Sequence, residues 1–185
     1  LGEVKCSQVL YDDVKAHGGK PLMWKTGHSL IKEKIRETGA LIGGEMSGHI
    51  FFKHRWFGFD DAVYASLRLL ELVSRTEGGL SALTADIPDT VSTPEIRTDC
   101  AEDLKFAIVE HVQRIYRQRE DVDLIDIDGA RVNFPEGWGL LRASNTQPVL
   151  VSRFEADSQA NLEKIRKDVE SVLEQAKVAA GAASN

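Results

Sequence analysis

Leu41-Ile42-Gly43-Gly44-Glu45-Met46-Ser47-Gly48-His49-Ile50-Phe51-Phe52 is the stretch on which the reading of this chain turns. An apolar pair enters it and an apolar triplet leaves it as a strand. The glycines between them permit positive φ and leave backbone N–H groups uncovered. A carboxylate, a hydroxyl and an imidazole lie close together at Glu45, Ser47 and His49. A carboxylate can accept hydrogen bonds from two neighbouring sugar hydroxyls, and charged acceptors make the stronger bonds. The other reading of the same residues is a turn whose polar side chains face water.

Working outward, Val4 to Leu10 and Pro21 to Lys25 read as short strands, with a Gly18-Gly19 turn between them. The spacing predicts a helix from about Ser29 to Thr38. Leu30, Ile31 and Ile35 share one face of it, Ser29 is placed to cap its start, and Gly39 to end it. Downstream, Asp60 or Asp61 caps a longer helix on which Val63, Leu67, Leu70 and Val73 recur at helical spacing, ending near Gly78-Gly79. The stretch from Leu80 to Pro94 mixes prolines with small residues and marks a domain boundary. It divides the chain into an α/β domain over 1–88 and a small α+β C-terminal domain over 89–185.

The second domain reads strand, helix, strands, helix. Glu95 to Thr98 is a strand. The helix from about Glu102 to Arg117 buries Leu104, Ile108, Val112 and Ile115. Strand-like runs follow at Val122 to Ile127, Arg131 to Phe134 and Val149 to Glu155, and a last helix from Ser158 to Val178 carries Leu162, Ile165, Val169 and Leu173. Within this domain, Arg142-Ala143-Ser144-Asn145-Thr146-Gln147-Pro148 lies between the apolar runs Gly139-Leu140-Leu141 and Val149-Leu150-Val151. Arginine offers a planar fork to a phosphate, and serine, asparagine and threonine add short donors. The competing reading is an ordinary hairpin turn, which uses the same residue types for conformational reasons.

Other features narrow the function. A net charge of −6 argues against nucleic acid as the main partner, because phosphate backbones recruit basic surfaces. No apolar run approaches the roughly 18 residues of a membrane span. Asp126-Ile127-Asp128-Gly129 resembles a metal loop but reads as a hairpin turn, since alternation resumes after it and no glutamate follows at the calcium-loop position. His49 and His54 flank an apolar strand and cannot share a helical face for zinc, and the cluster Phe51, Phe52, Trp56, Phe57 and Phe59 reads as packing. Cys6 and Cys100, the two cysteines, stand far apart and read as reduced cytosolic thiols. A start without methionine, a basic region or an apolar run reads as a trimmed piece and as no signal peptide.

Gly44 to His49, followed by Phe57-Gly58-Phe59-Asp60-Asp61, resembles the sugar-binding segment of the α-D-phosphohexomutases. Arg142 to Pro148 resembles that superfamily's phosphate-binding loop. Val4-Lys5-Cys6 and Trp24-Lys25-Thr26-Gly27-His28-Ser29 also match, in the same order. Met46 and Asn145 are similar to the phosphomannomutase/phosphoglucomutase branch, while Gln147 departs from a common glutamate. The resemblance implies most of the third domain and all of the fourth domain of a four-domain enzyme.

That enzyme exchanges hexose 1-phosphate and hexose 6-phosphate through a phosphoserine and a hexose 1,6-bisphosphate. The resemblance places the phosphoserine and the magnesium-binding loop in domains that have no match here, so the chain itself should hold no metal. It further implies Glu45 and Ser47 on the sugar hydroxyls and Arg142, Ser144, Asn145 and Thr146 on the phosphate away from the metal. Lys5 and His28 fall near the reacting end, with His49 as the acid/base participant. Glucose 1,6-bisphosphate is the implied activator and intermediate. The phosphosugar and the N-terminal domains of the same enzyme are the implied partners, with no nucleic acid and no membrane, in the cytoplasm. Phosphoglucosamine mutase and a noncatalytic phosphosugar-binding module are the alternatives. Loss of Arg142 is expected to weaken binding with little change in stability.

Overall fold

The computed structural model describes residues 1–181. They divide into two compact units, with the boundary between Pro88 and Asp89. In the first unit, β1 (Gly2–Glu3) pairs in parallel with β2 (Met23–Trp24). Next, β3 (Ile42–Gly44) and β4 (Ile50–Phe52) form an antiparallel hairpin. The Gly44 N–H donates to the Leu1 carbonyl at 2.9 Å, which ties this hairpin to the β1 side.

Helix α1 (Gln8–Ala16) follows β1, and α2 (His28–Thr38) follows β2. The strand expected over Val4 to Leu10 is thus a turn and the start of α1. Two local devices override the apolar pattern there: the Glu3 carboxylate draws in the Lys5 N–H at 2.8 Å, and the Ser7 hydroxyl caps the helix by accepting from Val9 N. Gly27, rather than Ser29, sits at the N-cap of α2, while Gly39 closes it at φ 70° as expected. Ile31, Ile35 and Phe51 form the small core. Gly43 lets α2 approach the hairpin closely: a Cβ there would meet Ile35 at 2.9 Å.

Helix α3 (Ala62–Arg75) begins at Asp61, whose carboxylate accepts from Tyr64 N at 2.9 Å. Its predicted apolar stripe is present but open: Val63 is 73%, Leu67 58% and Leu70 62% exposed. The aromatic cluster likewise packs only in part. Phe51 is buried and Trp56 stacks on Tyr64, whereas Phe57 is 70% exposed. A 3-10 helix, Gly79–Thr84, follows.

The second unit is an antiparallel sheet with two helices on one face. β7 (Asp123–Ile125), β8 (Ala130–Phe134), β9 (Gly137–Ala143) and β10 (Val149–Ala156) pair in sequence order. β5 (Val91–Ser92) and β6 (Ile96–Asp99) share the far edge of β10. Helices α4 (Lys105–Tyr116) and α5 (Gln159–Ala179) pack on each other and on the sheet. Alternate strand residues such as Val132, Leu141, Leu150 and Phe154 meet Ile108, Val112, Leu162, Ile165 and Val169 from the helices. Burying each such side chain contributes about 1.5–3 kcal/mol. Leu104 and Ile115 pack only at the margin of this core, and α4 starts later than expected, at a buried Lys105.

Candidate functional site

In the first unit, the polar residues gather where the chain leaves the carboxyl ends of β1, β2 and β3. Ligands of open α/β sheets commonly bind at that edge. A carboxylate that sequence reasoning passed over organises it. Glu3 has no solvent exposure; its Oε2 accepts from Lys5 N at 2.8 Å and from Thr26 Oγ1 at 2.7 Å, and its Oε1 accepts from Met46 N at 3.2 Å. One buried anion therefore holds the turn bearing Lys5, the segment leading to His28, and the Glu45–His49 loop. The only trace of this in the sequence is an acidic residue at the end of a strand, which reads as a solvated charge.

Glu45 is also buried, 9% exposed, and its Oε1 accepts from Gly27 N at 2.8 Å. That bond fixes the carboxylate beside the N-terminus of α2, where partial positive charge favours an anion. Glu45 N donates to the His49 carbonyl and Gly48 N to the Glu45 carbonyl, so the loop closes on itself, with Gly48 at φ 93°. Ser47 stays exposed. His28 and His49 come together, with ring centroids 6.2 Å apart.

Asp60 does not cap α3. Its Oδ2 lies 2.5 Å from His49 Nδ1, and its Oδ1 accepts from Ile50 N at 3.3 Å. Because a carboxylate only accepts, the neutral imidazole carries its proton on Nδ1, leaving Nε2 as the nitrogen able to take one up. Asp60 thus fixes the orientation of the His49 ring. This pairing was not legible from spacing, since the hairpin strand separates the two residues.

In the second unit, the predicted loop joins β9 to β10. Ser144 is 8% exposed, and its hydroxyl oxygen accepts from Thr146 N at 3.3 Å and Gln147 N at 3.2 Å. A hydroxyl that accepts twice keeps one proton to donate. Asn145 and Thr146 project to the surface. Arg142, however, does not wait for a ligand with its whole fork open. Its side chain is 7% exposed, and Nε and Nη2 each donate to the Asp128 carboxylate at 3.2 Å. Asp128 belongs to the β7–β8 turn, where Gly129 takes φ 89° and passes so close to β9 that an added Cβ would meet the Leu141 carbonyl at 2.4 Å. A phosphate would meet the guanidinium at Nη1, the edge turned away from Asp128.

Two further cations flank this loop. Arg97 Nη1 donates to Gln147 Oε1 at 2.6 Å. Lys105 Nζ, at a residue 1% exposed, donates to the Ser144 carbonyl at 2.7 Å and the Gln147 carbonyl at 3.1 Å.

The Glu3, Asp60 and Asp128 carboxylates accept from N–H and O–H donors, an arrangement that does not fit a magnesium ion. Among the described residues, one group of candidate ligands lies close together, Asp13, His17 and Asp86, and it includes none of the loop residues. Cys6 and Cys100 are not joined in a disulfide. No helix among the described residues is long and apolar enough to cross a membrane.

Both units match known family profiles. The family profile described as phosphoglucomutase/phosphomannomutase, alpha/beta/alpha domain III matches residues 1–91. The profile described as phosphoglucomutase/phosphomannomutase, C-terminal domain matches residues 95–172. The chain belongs to the phosphoglucomutase/phosphomannomutase family.

Within that family, it is 53% identical over 164 residues to a phosphomannomutase/phosphoglucomutase of Pseudomonas aeruginosa, covering 89% of this chain and 35% of that protein. A phosphoglucomutase/phosphomannomutase family protein of Burkholderia thailandensis has a solved structure that superposes with a TM-score of 0.82 at 45% identity, covering 100% of this chain and 38% of that one. A solved Aspergillus fumigatus N-acetylphosphoglucosamine mutase in complex with GlcNAc-6P and magnesium shares the fold at 14% identity and a TM-score of 0.65, over 95% of this chain and 39% of that one. The chain therefore spans about a third of the length of the curated relatives it matches (35–37%).

Proposed function

We propose that this chain supplies the sugar- and phosphate-binding loops of a phosphohexomutase that interconverts the 1- and 6-phosphates of glucose and mannose. The observation that carries the proposal is the 53% identity, spread over both units, to an enzyme named for phosphomannomutase and phosphoglucomutase activity. The geometry supports it at both loops.

A substrate that must bind in two opposite orientations needs a fixed socket for the phosphate away from the reaction. Arg142 Nη1, the Ser144 hydroxyl, Asn145 and Thr146 supply donors for that socket. It also needs a grip on hydroxyls placed alike in both poses. Glu45, already steadied by Gly27, offers its second oxygen for this, beside Ser47. Lys5 and His28 belong to the reacting end, where cationic and N–H donors stabilise a transferring phosphoryl group. His49, oriented by Asp60, takes or gives the hydroxyl proton through Nε2. Magnesium, held elsewhere in the enzyme, would neutralise charge on the phosphoryl group, and glucose 1,6-bisphosphate would serve as intermediate and activator. The partners are a phosphosugar and the N-terminal domains of the same polypeptide, in the cytoplasm.

The test is a coupled assay on the full-length enzyme with glucose, mannose and glucosamine 1-phosphates, run beside the 185-residue chain. Glucose and mannose phosphates are expected to turn over in the full-length enzyme, and nothing in the chain alone. Preference for glucosamine 1-phosphate would favour a phosphoglucosamine mutase. Binding without turnover in the full-length protein would leave a noncatalytic module.

A further inference from the structure

We propose that Lys105 is a positioning residue of the phosphate loop, aiming a backbone donor at the anion from behind; the proposal rests on the phosphosugar reading of that loop. Lys105 opens α4 on the face that packs against the sheet, and it is 1% exposed. A buried ammonium is costly unless every proton is matched. Here the partners are Glu102, at 2.7 Å, and two carbonyls of the loop, Ser144 and Gln147, at 2.7 and 3.1 Å. Glu102 is itself 66% exposed at the side chain, so the loop carbonyls are the buried half of the arrangement.

The consequence follows from peptide geometry. In a trans peptide the C=O and the next N–H point in opposite directions. Pulling the Ser144 carbonyl onto Lys105 turns the Asn145 N–H away from the helix, toward the open side of the loop. The ammonium also polarises that peptide, which strengthens the donor. At the second carbonyl, the next residue is Pro148, which has no N–H to aim. The grip on Gln147 therefore only fixes the loop's exit. Meanwhile the Ser144 hydroxyl takes up the Thr146 and Gln147 N–H groups. The Asn145 N–H is thus the loop amide that the Lys105 grip leaves directed at a phosphate.

The experiment compares wild-type full-length enzyme with Lys105→Met, Lys105→Gln and Glu102→Gln. Calorimetry well below the melting temperature uses glucose 1-phosphate and inorganic phosphate as probes, beside steady-state kinetics. Methionine keeps the apolar stem and removes the donors. It should raise Kd for both probes, and KM, by about tenfold, with a smaller fall in kcat, since the phosphate is held in ground and transition states alike. Glutamine, whose amide keeps two N–H donors on a shorter, uncharged side chain, should lose about threefold. Glu102→Gln should stay within twofold. Lys105→Met or, if that variant does not fold, Lys105→Gln binding as tightly as wild type would overturn the proposal. So would an equal loss in Glu102→Gln, which would assign the effect to the start of α4. Failure of wild type to bind either probe would instead remove the phosphosugar reading, and the proposal with it.

Discussion

Arg142 pairs with Asp128 and opens the loop proposed to hold a phosphate. From sequence it is a ligand-facing arginine whose removal should cost affinity and little else. The structure corrects that expectation, because Asp128, only 13% exposed at its side chain, pairs with it. Removing one partner of a buried ion pair typically costs about 3–5 kcal/mol, since the other charge is left uncompensated. Asp128 has a contact besides Arg142, so Arg142→Ala should lose less than that, about 1–3 kcal/mol of stability, as well as phosphate affinity. Arg142→Ala combined with Asp128→Asn should recover most of the stability and none of the affinity. Denaturant unfolding of the four corners of that cycle, each paired with calorimetry, separates the roles. Equal stability of wild type and Arg142→Ala would return the arginine to the substrate alone. Glu3 and Lys105 are likewise charged residues buried under a loop, and each is held there in part by backbone groups of that loop.

Among the elements, α5 was the most legible and the first ten residues the least. Leu162, Ile165, Val169 and Leu173 repeat at helical spacing, Ser158 caps them, and the helix forms where expected. Over Val4 to Leu10 the apolar residues are too few to fix a period, so capping by Ser7 decided the outcome. Lys105 could have been found: it precedes Ile108 by three and Val112 by seven, which puts it on the buried face of α4.

At the head of α5, the Asp157 carboxyl is held below the ordinary carboxylate range, first by the Asn161 side-chain amide, at 2.7 Å, and then by Ser158. A depressed folded-state pKa adds stability above the ordinary value of 3.8, and that stability is lost as the pH falls through the lower folded value. Asp157→Asn should therefore flatten the acid limb of a melting-temperature profile taken from pH 6 to 2. Parallel acid limbs would show that the contact contributes nothing.

Across the whole molecule, the two units differ in how completely they bury their apolar residues. The second unit has a continuous core between its sheet and its two helices, whereas the first leaves Leu67 and Leu70 of α3 more than half exposed. The 185-residue chain should accordingly bind a hydrophobic dye such as ANS. Leu67→Glu with Leu70→Glu should reduce that binding and shift the melting temperature by no more than a degree or two, as exposed positions do. A drop of several degrees would mean that the α3 face is packed.

The meander of the second unit also has a history in time. β9 and β10 meet across a loop of only a few residues, and hairpins close in about 1–10 μs. Lys105 reaches Ser144 across 39 positions and must first spend the entropy of closing that larger loop. On the proposed role of Lys105, the loop should take its outline early, while the peptide between Ser144 and Asn145 still swivels. Competence to hold an anion would then be among the last properties the unit acquires, arriving only when α4 docks.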